Sequence, residues 1–198
     1  MDNEIETYRA LNELATPGGI VIFGGGEDRL IPLCELKQAF ALQEDLYNRS
    51  VTGLSVDTAA GIFDGCVAEL EPEDILIHIG GADLHAFEQD SAAFDEKYRR
   101  LLRHIQAALP DCRVGVISLK NPDKQPLVAQ MNRHLAVITR DEGCEFCDIS
   151  TVRVWNPKQT KDVLSFICSM GFVRPLKKRR PLYDLVKILF CCEPSHIA

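Results

Sequence analysis

With 198 residues, 46% hydrophobic and 26% charged, the chain is long enough to bury one sizeable core and has the make-up of an ordinary globular domain. A net charge of −7 excludes a nucleic-acid footprint, which needs a concentrated excess of Lys and Arg; the one basic cluster is KKRR, Lys177 to Arg180. No run approaches the roughly 20 apolar residues that cross a bilayer, and the acidic opening MDNEIETYRALNELA is unlike a signal peptide. A cytoplasmic protein is expected, its eight cysteines reduced thiols that mostly serve as small core residues.

In chain order, the segment from about Ile5 predicts a helix packed outside the first strand, and the apolar run Ile20 to Phe23 predicts that strand. Arg29 to Leu42 follows as a helix that starts loosely around Pro32, then a weaker strand over Asp45 to Ser50. Val56 to Leu70 has helical periodicity with Asp57 as a capping residue, and EPED breaks the chain before a strand at Ile75 to Ile79. Ala92 to Leu109 reads as a helix ended by LPD, Val114 to Leu119 as a strand, and Pro126 to Glu142 as a helix ended by EGC. A weak strand at Glu145 to Ile149 and a helix at Thr160 to Met170 complete the alternation.

Continuous apolar strands separated by helical patterns are the signature of a parallel sheet buried on both faces. The expected fold is therefore α/β: a three-layer α/β/α sandwich of about five parallel strands with right-handed crossovers. One domain is expected over residues 1–173, followed by a basic, amphipathic extension over 174–198. In that extension Pro181 opens a short helix whose apolar face carries Leu182, Leu185, Val186, Leu189 and Phe190. Docking back onto the domain is the favoured role for it; a protein partner or an anionic membrane surface are the alternatives. Ligands of such sheets bind at the carboxyl ends of the strands, which singles out the loops 24–28, 50–57, 80–85, 121–125 and 150–165.

Four of these loops carry recognisable blocks: IVIFGGGEDRLIPLCEL, YNRSVTGLSVDTAAGI, PEDILIHIGGADL and KQTKDVLSFICSMGF. In this order and spacing they resemble the blocks of the SGNH (GDSL-type) hydrolase superfamily, particularly its members related to platelet-activating-factor acetylhydrolase, over roughly residues 18 to 173. The resemblance implies that superfamily's flavodoxin-like sandwich and a site built from a Ser nucleophile, a His base oriented by an Asp, and an oxyanion hole of two backbone amides and an Asn. It places the nucleophile's position at Gly26, that of the neighbouring Asp at Gly25, the oxyanion Asn at Ala82 and the base at Ser165; only Gly53 and Asp162 keep the family's residue. No shift of register restores the missing groups, because the first Ser is Ser50, no Asn lies between Asn48 and Asn121, and no His lies between His134 and His196. The resemblance thus implies the fold without the triad, and an emptied cleft lined by Gly25, Gly26, Glu27, Gly53, Gly81, Ala82, Asp83 and His85, open to a small acyl or carbohydrate ligand.

Other chemistry has plainer explanations in the residues. The GGGED turn lacks the Gly-Lys-Ser/Thr of a nucleotide loop, and Glu27 and Asp28 repel anions. Asp57, Asp83, His85 and Asp162, with Glu27 or Asp28, follow neighbouring strands and are a candidate metal or acid-base cluster, from which an active hydrolase would draw together with Ser55 or Ser165. The plainer roles are a helix cap for Asp57, loop amides for Asp83 and the surface for His85. His78, within a strand, is expected to be a satisfied core residue. CEFC, Cys144 to Cys147, opens a strand, which argues for ordinary thiols over a redox or zinc motif. No metal or cofactor is called for.

Overall fold

The computed structural model describes residues 2–150 and 181–191. The helix expected at Thr160 to Met170, the positions Asp162 and Ser165, the basic run and the expected boundary at 173 lie outside the described residues.

Five parallel strands, β1 (Ile20–Gly24), β2 (Leu46–Asn48), β3 (Asp74–His78), β4 (Arg113–Ile117) and β5 (Glu145–Cys147), form one sheet in the order β2-β1-β3-β4-β5. Alternation along the strands sends Val21, Phe23, Ile75, Ile77, Val114 and Val116 to one face and Ile20, Ile22, Leu76 and Ile117 to the other. At the entry edge Arg113 clasps its cross-strand neighbour Asp74 through two bonds of 2.6 and 2.8 Å, which fixes the β3/β4 register.

The first face is covered by α3 (Val56–Cys66), α5 (Ser91–Ala108) and α6 (Gln125–Asp141), with the short α4 (Leu84–Gln89) between them and α1 (Asp2–Asn12) against α3. The amphipathic pattern of α5 buries Phe94, Tyr98, Leu101, Leu102 and Ile105. Gly143, at φ +69°, ends the α6 run in the left-handed region, as the EGC signal requires.

The second face rests on α2 (Leu33–Ala39) and α7 (Leu182–Cys191). Seven of the ten residues of α7 are buried, and the helix packs on β3, β4, β5 and α2. Gly115 in β4 lets it come close: a Cβ there would stand 3.0 Å from Leu182 Cδ1. The extension's helix therefore docks on the sheet, the favoured of its expected roles.

Three local expectations need correction. The helix expected from Arg29 to Leu42 is a single 3-10 turn (Asp28–Leu30) followed by α2, because Ile31 before Pro32 is extended at ψ 121° and Pro32 begins a new helix. The Val56 helix stops at Cys66, and a separate tight turn over Ala68–Leu70 closes on Glu71 at φ +44°. Asp57 does not cap α3: Ser55 holds the cap position with its N–H on Thr58 Oγ1 at 3.3 Å, and Asp57 reaches Lys97 on α5 at 2.8 Å. The six-residue α4 was not anticipated at all; Asp90 separates it from α5 by accepting the Ala93 N–H at 2.9 Å.

Leu189→Ala, which empties a fully buried site between α7 and the sheet, is expected to lower the unfolding free energy by about 2–5 kcal/mol in urea denaturation, whereas Tyr183→Ala on the exposed side of α7 should cost well under half of that.

Candidate functional site

At the carboxyl ends of the strands a cleft of about 290 Å³ opens where the chain reverses its winding, between β1 and β3. Its walls come from the turn after β1 (Gly25 to Asp28), from Gly53 and Leu54 after β2, from His78 at the end of β3 with Gly81, Ala82 and Leu84, and from Leu119, Lys120 and Asn121 after β4 with Val128 of α6. Six of the expected cleft residues, Gly25, Gly26, Glu27, Gly53, Gly81 and Ala82, meet there.

Asp83 and His85 do not line it. Asp83 is buried behind the wall, where both carboxylate oxygens accept the Val56 N–H at 3.1 and 3.2 Å, so the carboxylate ties the loop after β3 to the start of α3. His85 is exposed and meets Gln89 at 3.1 Å. Among the described residues the members of the acidic cluster considered as a metal site do not come together, and no group of three or more ligating side chains occurs there. Burial pushes the Cys144 thiol up to about 11 and the Cys147 thiol up to about 12, which suits packing and not redox exchange.

One polar pair of the cleft is not evident from the sequence. Asp28 is buried beneath the turn, and both its oxygens meet His78 Nδ1, at 2.9 and 3.0 Å. Its Oδ2 also accepts the Gly25 N–H at 2.9 Å, which shapes the turn. The pair needs Gly24: a Cβ at that position would collide with the Asp28 carboxylate. Burial works to lower the His78 pKa, but the charge and hydrogen bond of Asp28, helped by Glu27 and by the Ser118 backbone, outweigh it and hold the imidazole above its ordinary value. The usable signal was an ionisable residue ending an otherwise apolar strand, at the ligand-binding edge.

Helix α1 braces the same turn from outside. Tyr8 donates to the Ser50 carbonyl at 2.6 Å, Ser50 Oγ accepts the Gly24 N–H at 3.1 Å, and Glu4 pairs with Arg29 at 2.6 Å while accepting from Thr52 at 2.9 Å. Arg49 is buried between the rings of Tyr8 and Tyr47 and bonded to Asn12.

No family model and no curated protein matches the chain. Solved structures do. A candidate platelet activating factor of Streptococcus pneumonia superposes with a TM-score of 0.64 at 14% identity, over 79% of this chain and 78% of that one. A candidate acylhydrolase of Bacteroides fragilis gives 0.61 at 15% identity, over 84% of this chain and 94% of its own. The chain has the SGNH (GDSL-type) hydrolase fold. A GDSL-like lipase of Bacteroides thetaiotaomicron agrees, with a TM-score of 0.57 at 14% identity over 77% of this chain and 81% of that one. Within this SGNH fold the turn after β1 has open room for a side chain at Gly25 and a tight contact with Thr52 at Gly26. Neither Gly25 nor Gly26 is left-handed; a Cβ at Gly25 meets nothing within 4 Å, and one at Gly26 first meets Thr52 Oγ1 at 3.3 Å. Gly53, at φ +73°, is by contrast demanded by the backbone.

Burial raises Asp83 from 3.8 to about 6. A folded-state pKa above the unfolded one favours folding below the unfolded value and loses that contribution as pH rises through about 6. Asp83→Asn, which keeps an acceptor for Val56, is therefore expected to raise Tm by about 5 °C at pH 8 and to leave it unchanged near pH 4 in thermal melts.

Proposed function

We propose that the chain is a catalytically silent SGNH-fold domain that uses the emptied cleft to bind a small acyl or carbohydrate ligand inside the cytoplasm. The observation that supports it is the lining of the cleft: among the described residues it contains no Ser, Thr or Cys, and glycine and alanine stand at 26 and 82. An acyl-enzyme needs a nucleophile with a base in reach, and removing either from a triad costs orders of magnitude in rate. Binding is a better fit. The cleft combines apolar side chains, Leu54, Leu84, Leu119 and Val128, with the small residues Gly25, Gly26 and Gly53, and its Asp28 and His78 side chains are hydrogen-bonded to each other. The choice of acyl esters and acylated or acetylated sugars follows by analogy with the fold's hydrolases.

A hydrolase with another constellation would draw on Ser55, Asp83 and His85 with Asp162 or Ser165. Of these, Asp83 is engaged with the Val56 amide and His85 with Gln89 at the surface. A scaffold acting through the extension would use its apolar helix, yet that face of α7 is buried in the domain. No described helix is long and apolar enough to cross a membrane.

Incubation with p-nitrophenyl acetate and with a fluorophosphonate probe is expected to give hydrolysis no faster than a bystander protein and no covalent adduct. Turnover with labelling would overturn the proposal, and thermal-shift screening of acetate, short acyl amides and acetylated xylose should then or otherwise reveal what the cleft holds.

A further inference from the structure

A second hollow lies beside the cleft, between α6 and the edge strand β5, and at about 530 Å³ it is the larger of the two. That volume falls well inside the ~300–1,000 Å³ of small-molecule sites, whereas the cleft sits at the lower limit. The two share a wall made by Leu119, Lys120, Asn121 and Val128. Asn132 fixes that wall: its Oδ1 accepts the Leu119 N–H at 2.8 Å and its Nδ2 donates to the Leu119 carbonyl at 3.0 Å, which clamps the loop after β4 to α6. The hollow exists because of what α6 carries there. Ala129, Asn132, Arg133 and Ala136 recur at helical spacing beside the core-facing Val128, Met131 and Leu135, and neither alanine fills the space that Phe146 of β5 borders.

The lining is two-sided in its chemistry. Leu119, Val128, the two alanines and Phe146 supply the apolar part, and Phe146 forms no ring pair among the described residues. The charged part is Lys120, Asp148 and Arg133. Asp148 accepts the Ser150 N–H at 2.8 Å and lies within the field of Lys120, so those two charges offset one another. Arg99, Arg103 and Arg140 are ion-paired with Asp141 or Glu142, but Arg133 has no carboxylate partner among the described residues. One guanidinium is left over at an apolar hollow, and its planar fork matches a single carboxylate.

We propose that this hollow is a second ligand site, which takes a flat aromatic ring carrying one carboxylate, with the ring between the alanine face of α6 and Phe146 and the carboxylate on Arg133. Ala129 and Ala136 stand about two turns apart and leave a wall without branches, against which a ring lies better than a bulky aliphatic group. Phe146 adds an aromatic partner for it. A second carboxylate on the ligand would meet Asp148, and a cation would meet Arg133, so the lining selects a monoanion. The site goes beyond the reading of the cleft and stands whether or not the cleft holds a ligand of its own.

Calorimetric titration of the full chain with naphthoate is expected to saturate, with the neutral naphthamide and the ring-free octanoate each binding at least ~10-fold more weakly. Arg133→Gln should bring naphthoate down to the level of naphthamide, and Ala136→Trp, which fills the hollow, should abolish the binding of both. In the native chain, naphthoate should shift the backbone amide NMR signals of Ala129, Ala136 and Phe146 and leave those of Gly25, Gly26 and Gly53 in place. No saturable binding, equal affinity for naphthoate and naphthamide, tighter binding of octanoate, full binding by a folded Ala136→Trp, or shifts centred on the cleft glycines would each overturn the proposal. The native-chain comparisons decide it even where Ala136→Trp does not fold. A cleft that binds no acyl or acetylated-sugar ligand is a separate result, since its glycines report on it independently.

Discussion

A parallel sheet with two apolar faces must be covered twice, and the rest of this structure follows from that demand. Alternate residues of β1 and β3 are buried on opposite sides, Val21 and Phe23 against α3 and α5, Ile20 and Ile22 against α2 and α7. The first face is closed by long helices lying between the strands in sequence. Among the described residues the second rests on the seven-residue α2 and on the ten-residue α7, which comes from a part of the chain remote in sequence. That is why the apolar stripe of the extension is core rather than an attachment surface, and why Phe190 comes to stand against a residue of the cleft.

The same winding reverses between β1 and β3 and opens the cleft there, with polar groups balanced inside it. Asp28 and His78 satisfy each other, and the turn amide of Gly25 is bonded to that carboxylate. Buried polar groups of this kind are tolerated only when paired. What they build is a turn that lines the cleft with the small residues Gly25 and Gly26. The turn is held from behind by α1 through Tyr8 and Ser50.

The sheet was legible from sequence because the middles of β1, β3 and β4 are short apolar runs rich in Ile and Val, as burial on both faces requires. The cleft glycines were legible because they follow strand ends. The limits have physical causes. Pro32 splits a helical pattern that periodicity alone joins, and α4 spans only six residues, too few for periodicity to register. Asp57 sits at a capping offset, yet the Val56 amide is taken by Asp83, 27 positions away. Asp28 and His78 are 50 positions apart and are joined only by the β1/β3 pairing, so His78 reads as a core residue until the strands are placed side by side.

The proposal that this cleft is an SGNH site emptied by substitution at positions 26, 82 and 165 has a direct test. The most direct measurement is intact-protein mass spectrometry after fluorophosphonate treatment of the triple variant Gly26→Ser, Ala82→Asn, Ser165→His, with the native chain alongside. Gly26 is not left-handed, and the first change brings a Cβ to 3.3 Å from Thr52 Oγ1 and 3.4 Å from its Cα, so Thr52 must shift by a few tenths of an ångström to admit it. One adduct, at position 26, is expected in the variant and none in the native chain. A folded variant that stays unlabelled, or a native chain that labels as readily, would contradict it.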